Sequence, residues 1–277
     1  MLLSVIIPCY NEAATIRQIL RQIRDVRLDK QIIVVDDHSA DNSFSLLQAE
    51  ARDDPGLQII RHPRNLGKGA AIRTGLHHAQ GEIVIIQDAD LEYDPQDYYE
   101  LVRPIVEGRV NVVFGSRFMG SHTGMYFWNA IGNKGLTFLT NFLYNAWISD
   151  METCYKVMRT DILRSLDLRS RDFRIEPEIA AKVLRQGHSV FEVPVSYFGR
   201  TYEEGKKIRK SDGFKALGTL VRYRLWRAAP PQPKPIPASV ARSALESIAD
   251  AAARRHISRI LIESLTPFEE RAEESPK

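Results

Sequence analysis

Short apolar runs alternate along this chain with longer stretches in which apolar residues recur every three or four positions. Residues 3–8, 32–36, 57–61, 83–88 and 110–115 read as strands. Residues 14–26, 43–52, 70–79 and 96–107 read as amphipathic helices. Strands alternating with helices predict an α/β fold with a mostly parallel sheet covered on both faces. Ligands of such sheets bind beyond the carboxyl ends of the strands. Here those ends are polar: "PCYNE" after the first strand, "DDHS" after the second, "DADLE" after the fourth and "GSR" after the fifth. Each by itself is compatible with a turn or a helix cap. Four together predict one crevice.

Beyond Arg117 the pattern changes. An aromatic-rich helix is expected over 127–148, with Leu136, Leu139, Leu143 and Trp147 along one face and Phe138 and Phe142 broadening it. A short strand over 154–158, a helix over 177–186 and a strand in "HSVFEVPVSY" follow, and then a basic segment from 200 to 227. "PPQPKPIP" reads as a stiff linker without a core of its own. The helical spacing of 238–265 carries a broken apolar face of Val240, Leu245, Ile248, Ile257, Ile260 and Leu261, suited either to folding back on its own domain or to homo-oligomerisation. The expected organisation is a domain over 1–228, a linker over 229–238, and a helix and tail over 239–277.

Composition narrows the class. A chain of 277 residues with 44% hydrophobic and 26% charged residues and a net charge of +3 suits one substantial globular domain. Two cysteines are too few for a disulfide framework and predict a reducing, cytoplasmic compartment. The N-terminus reads as a strand rather than a signal peptide. The longest uncharged stretch, 135–149, is shorter than the roughly 20 residues of a spanning helix.

In "VIIQDADLE", Asp88 and Asp90 end an apolar strand and Glu92 follows. Buried carboxylates so close together repel one another unless a cation lies between them. Oxygen ligands at this spacing suit Mg2+ or Mn2+, which complete their shells with water and substrate phosphate. "NLGKGAAIRTG" lacks the third small residue of a dinucleotide fingerprint and is not a Walker sequence. Lys68 and the glycine amides beside it suit either an anion or a simple helix entry.

"SVIIPCYNE", "IIVVDDHSADNS", "NLGKGAAIRTG", "IVIIQDADLEYDP" and "VVFGSRF", in this order, closely resemble the family 2 glycosyltransferases of GT-A fold, in particular the dolichyl- and polyprenyl-phosphate mannosyl- and glucosyltransferases. "SDMETCYKVMRTDIL", "FRIEPEI" and "VPVSYFGRTYEEGKKI" extend the resemblance to about residue 225, roughly four fifths of the chain. It implies a mixed, mostly parallel GT-A sheet flanked by helices, followed here by a C-terminal helical extension. It implies inverting transfer of mannose or glucose from GDP-mannose or UDP-glucose to polyprenyl or dolichyl phosphate. The alternative is transfer to a sugar hydroxyl of a glycan or glycolipid.

By the same resemblance Pro8, Tyr10, Asn11, Glu12 and Asp37 line the nucleotide pocket, with Lys68 and Asp88 beside them. Asp88, Asp90 and Glu92 are the expected metal ligands, Glu92 standing where related enzymes often have Gln. Asp90, Asp150 and Arg117 are the catalytic residues that the resemblance implies, Asp150 matching an acceptor-side Asp with a catalytic or acceptor-positioning role, and Arg117, Arg200, Lys206 and Lys207 match positions used around phosphates. The basic segment (Lys206, Lys207, Arg209, Lys210, Lys215, Arg222, Arg224 and Arg227) and the aromatic helix predict peripheral association with the cytoplasmic face of an anionic membrane. No nucleic-acid reader motif accompanies the basic cluster, so nucleic acid is not an expected partner.

Overall fold

The computed structural model describes residues 1–200, 210–227, 229 and 231–265. Lys206, Lys207 and Arg209 lie outside the described residues. Nine strands and nine α-helices are seen among the described residues. The first half runs β1 (Leu3–Cys9), α1 (Ile16–Asp25), β2 (Lys30–Asp36), α2 (Ser43–Asp53), β3 (Leu57–Arg61), α3 (Lys68–His78), β4 (Ile83–Ile86), α4 (Tyr98–Val106) and β5 (Val112–Ser116). Then come β6 (His122–Thr123), α5 (Phe127–Tyr144), β7 (Lys156–Arg159), α6 (Thr160–Ser165), α7 (Ile175–Arg185), β8 (Val190–Pro194), β9 (Tyr197–Phe198), α8 (Lys210–Tyr223) and α9 (Ala238–Leu265).

Seven strands form one sheet in the order β3-β2-β1-β4-β7-β5-β8. β7 is antiparallel to both of its neighbours and every other pairing is parallel. The sheet is therefore mixed and mostly parallel, as the sequence predicts. β1 and β4 lie at its centre because β4 is wholly Ile and Val and β1 is apolar apart from Ser4, so both tolerate burial on both faces. α1 covers the sheet through Ile16, Ile19, Leu20 and Ile23, spaced to share one helical face. α3 approaches β1 closely at Gly75, where a Cβ would stand 2.4 Å from Ile6 Cγ2.

Two expectations need correction. The aromatic helix stops at Tyr144, because Asn145 takes the left-handed conformation (φ 50°) and the Asn141 side chain bonds the backbone of Ile148 on both its N–H and its C=O. Trp147 thus lies beyond the helix and is 93% exposed, while Leu136, Leu139 and Leu143 pack against the core. In α9 the buried face is Ala244, Ile248 and Ala251, while Leu245 and Ile257 are exposed. Small residues allow α9 to lie against α4, where Arg255 bonds the Gln96 carbonyl and covers the Tyr99 ring. The helix folds back on its own domain. The proline-rich segment is held too, through the Lys234 carbonyl, which accepts from Arg159 Nη2 at 2.7 Å.

Candidate active site

The carboxyl ends of β1, β2, β4 and β5 open into one cavity of about 1110 Å3. The end of β1 contributes Pro8, Tyr10 and Glu12 to its wall, the end of β2 contributes Asp37, and the end of β4 contributes Asp88, Asp90 and Glu92. Lys68 enters from α3, Arg117 from the end of β5 and Arg200 from the segment after β9. The four polar strand ends legible in the sequence do converge. Asn11 and Asp150 stand behind the wall. Asn11, at φ 52°, accepts from Ala40 N at 2.8 Å on its side chain, and its own N–H donates to Ser39 Oγ at 3.0 Å. It ties the turn after β1 to the turn after β2.

Asp37 organises the glycine-rich turn. Its Oδ1 accepts from Leu66 N at 2.8 Å and lies 2.7 Å from His62 Nδ1, and its Oδ2 accepts from Gly67 N at 2.7 Å. Gly67 has φ 94°, and Cβ atoms on Gly67 and Gly69 would stand 2.4 Å from the carbonyls of Arg171 and Ser170. These glycines let the turn press against the 170–171 backbone. The amides of Gly67 and Ala70 go to Asp37 and the Arg171 carbonyl, which favours the helix-entry reading of this turn over the anion site.

Lys68 is drawn into a buried line of alternating charge. Its Nζ lies 2.7 Å from Asp88 Oδ1 and 3.1 Å from Glu176 Oε1, and Glu176 Oε2 accepts from Lys156 Nζ at 2.8 Å. Such a line offsets the desolvation that each charge would suffer alone. Burial opposes ionisation of Asp88, but the charge and hydrogen bond of Lys68 prevail and its pKa is lowered.

Asp90 is placed differently. Its Oδ2 accepts from Arg200 Nη2 at 2.6 Å, and Arg200 Nη1 also reaches Glu12 Oε2 at 3.3 Å. Glu92 accepts from the Arg200 backbone N–H at 3.0 Å and from the Tyr197 hydroxyl at 3.0 Å. Burial, and then Asp88 and Glu92, push the Asp90 pKa up to about 7 despite Arg200. Among the described residues no three His, Cys, Asp or Glu side chains form a closed metal cage. Asp88 turns to Lys68 and Glu92 to Tyr197, so the expected trio of ligands is not gathered around one point. The site nonetheless fits a hard divalent ion. Such ions take one or two carboxylates and complete their shells with phosphate oxygens, and Asp90 is the carboxylate whose charge its surroundings stabilise least.

Arg117 is clamped by Asp150, whose Oδ2 accepts from Arg117 Nε at 2.7 Å and whose Oδ1 accepts from Nη2 at 2.8 Å. The guanidinium also lies 5.3 Å from the centre of the Tyr197 ring. Three carboxylates that line the cavity, Glu152, Asp172 and Glu176, were not singled out in the sequence, nor was Lys156, which pairs with Glu176 behind them. Glu176 lay in the "FRIEPEI" segment, but its pairing with lysines from α3 and β7 has no local signature. Glu152 follows Asp150 by two residues in a turn, and that spacing was the available signal.

The open side of the cavity is apolar. Trp128 and Leu139 of α5 and Phe214 and Leu217 of α8 line it. Phe138 and Phe142 project from α5, 72% and 76% exposed. No helix among the described residues is long and apolar enough to cross a membrane.

Known proteins share both sequence and fold with this chain. A UDP-N-acetylglucosamine-dolichyl-phosphate N-acetylglucosaminyltransferase of Methanococcus voltae is 26% identical over 81% of this chain and 96% of its own length. A dolichol-phosphate mannosyltransferase of Pyrococcus furiosus is 27% identical over 82% of this chain and 64% of its own length. The glucosyl-3-phosphoglycerate synthase of Mycobacterium tuberculosis, solved with Mn2+, uridine diphosphate and phosphoglyceric acid, superposes with a TM-score of 0.64 at 18% identity, over 82% of this chain and 80% of that one. The fold is of the GT-A type. The family model described as glycosyl transferase family 2 matches residues 4–167, more than half of the sequence, and the chain belongs to that family.

Proposed function

We propose that this glycosyltransferase moves one hexose, mannose or glucose, with inversion from GDP-mannose or UDP-glucose to a polyprenyl or dolichyl phosphate at a membrane surface. The observation that carries this reading is the juxtaposition in one cavity of a carboxylate and arginine cluster with an exposed apolar flank. Asp90, Glu92 and Arg200 suit a diphosphate with its cation, whereas Trp128, Phe214 and Leu217 suit a hydrocarbon. The two relatives named for dolichyl phosphate support the acceptor class.

Breaking the anomeric bond leaves negative charge on the departing nucleoside diphosphate, so groups that stabilise that charge accelerate the step. Asp90, with help from Glu92, would hold Mg2+ or Mn2+ there. Such an ion, when bound, neutralises charge on the diphosphate oxygens. Arg117, fixed in direction by Asp150, presents a guanidinium whose fork matches phosphate oxygens. Arg200, now bonded to Asp90, supplies a second. A phosphate acceptor has a second pKa of about 6 and is already ionised near neutral pH, so no strong base is required. In this reading Asp150 acts through Arg117. Phe138, Phe142 and Trp147 dip into the bilayer interface and hold the enzyme peripherally on the cytoplasmic face.

The test is transfer of label from GDP-mannose, UDP-glucose or UDP-N-acetylglucosamine to a short polyprenyl phosphate with Mg2+ or Mn2+, using Asp90→Ala as control. Metal-dependent labelling of the lipid phase that the variant loses, while it melts as the parent does, is expected. Near-native turnover by Asp90→Ala would remove the metal assignment. Labelling of a sugar hydroxyl with lipid phosphate ignored would remove the acceptor assignment.

A further inference from the structure

Glu152 lines the cavity, and its Oε1 is wholly buried without a hydrogen-bond partner among the described residues. The carboxylates around it are engaged: Asp88 by Lys68, Asp90 by Arg200, Glu92 by Tyr197 and Asp172 by Arg174. Lys156 does not relieve it, because its Nζ is bonded to Glu176 and to the Thr153 carbonyl. A buried acceptor without a donor costs about 1–3 kcal/mol. A site that carries such a group gains once a ligand brings a donor to it.

The chain around Glu152 is fixed at both ends. Asp150 grips Arg117, and the Cys154 N–H donates to the Tyr93 hydroxyl oxygen at 3.1 Å. Cys154 Sγ faces the Ile86 carbonyl at the end of β4, just before Asp88. Glu152 therefore sits on the cavity wall midway along a segment that leads from Arg117 to the Asp88 region, away from the strand ends of β1 and β2. Burial pushes its pKa up to about 7, with Lys156 opposing and Glu176 adding to the rise. A carboxylate here repels a phosphate and has no use for an alkyl chain. What it can take is a neutral hydroxyl.

We infer that Glu152 is a specificity-determining residue that accepts a hydrogen bond from a hydroxyl of the sugar being transferred. The inference rests on the glycosyltransferase reading of this cavity. It separates donor recognition into two parts, the nucleoside diphosphate held by the strand ends and the sugar read by the segment between Asp150 and Cys154. A buried acceptor of this kind discriminates strongly against a donor lacking the matching hydroxyl, because the acceptor is then left unpaired.

Titration calorimetry on the full chain with Mg2+ tests this, comparing UDP and GDP with UDP-glucose, UDP-N-acetylglucosamine and GDP-mannose. For the nucleotide sugar that binds the parent best, Glu152→Ala should weaken affinity roughly ten- to hundredfold while the matching nucleoside diphosphate changes by less than about twofold. Glu152→Gln, which keeps an acceptor oxygen, should lose less. Both variants should melt at or above the parent temperature, since an unsatisfied buried carboxylate is removed; a purely structural Glu152 would lower it. Equal weakening of nucleotide sugar and nucleoside diphosphate, or unchanged affinity for the sugar nucleotide, would overturn the assignment. If the parent protein binds neither class of ligand, the donor reading itself falls and the assignment with it, a result distinct from binding that ignores position 152.

Discussion

Asp150 holds Arg117 through three hydrogen bonds, two to the guanidinium and one, at 3.1 Å, to the backbone N–H. Asp150 is fully buried and Arg117 nearly so. A carboxylate with both oxygens committed to an arginine is a poor base and a good positioning device. Its effect on transfer is therefore indirect. Asp150→Asn should lower stability by about 3 kcal/mol, because it leaves a buried guanidinium without its counter-charge. It should reduce transfer roughly a hundredfold. Thermal melting and turnover should fall together; an unchanged melting temperature with lost turnover would restore Asp150 as a group acting directly on substrate.

Asp97 gives the stability a readable pH dependence. It starts α4, and its Oδ2 accepts from Ser196 N at 2.7 Å. Burial pushes its pKa up to about 6 from 3.8, against the Ser196 hydrogen bond. The folded state then binds more protons than the unfolded state between these values, so Asp97 makes stability fall as pH rises from about 4 to about 6. Asp97→Asn keeps an acceptor for Ser196 and removes the charge. It should raise stability at pH 7.5 by on the order of 1–2 kcal/mol and flatten that part of the profile. Denaturant melts at pH 4.5 and 7.5 measure the difference, and an equal effect at both values would refute the titration.

The apolar flank can be separated from the core by mutation. Phe138, Phe142 and Trp147 are 72%, 76% and 93% exposed, so replacing each by Ser costs the fold little. In the proposed membrane contact each would contribute apolar area to the bilayer, and the triple variant should bind anionic vesicles at least about tenfold more weakly. Cosedimentation with phosphatidylserine vesicles provides the measurement, with melting temperature as control. Undiminished vesicle binding would place the membrane contact elsewhere.

Gly75 reports the packing of α3 on β1. Alanine is the better helix former by about 1 kcal/mol, but its Cβ would stand 2.4 Å from the γ-methyl of Ile6. Ile6 is fully buried at the sheet centre and branched at Cβ, so it cannot turn aside. The steric term should prevail, and Gly75→Ala should lower stability by about 1–2 kcal/mol. A gain on chemical denaturation would mean that α3 stands further from the sheet than 2.4 Å implies.

Much of the frame can be read before folding is considered. The runs that became β1 and β4 are apolar enough to accept only a central place, and the polar residues that close them had to emerge at the carboxyl edge. Pro8, Glu12, Asp37, Asp88 and Asp90 were legible for that reason. Asn11 was legible as a turn residue but not as a brace between two loops. Its partner Ala40 is 29 positions away. The helix that ends at Tyr144 looked longer because apolar residues continue past it, and its stop depends on one Asn side chain bonding the backbone of Ile148.

The sequence by itself determined the alternation of strand and helix, the polar strand ends and the family to which they belong, because periodicity and short motifs are local properties. Only the tertiary structure decided which charge faces which. Asp88 and Asp90, two residues apart, turn to Lys68 and Arg200, and Asp150 and Glu152, equally close, face a guanidinium and a cavity. The physical reason is burial. In water each of these groups would be satisfied by solvent, but inside the fold each must find a partner on another element or wait for one from a ligand.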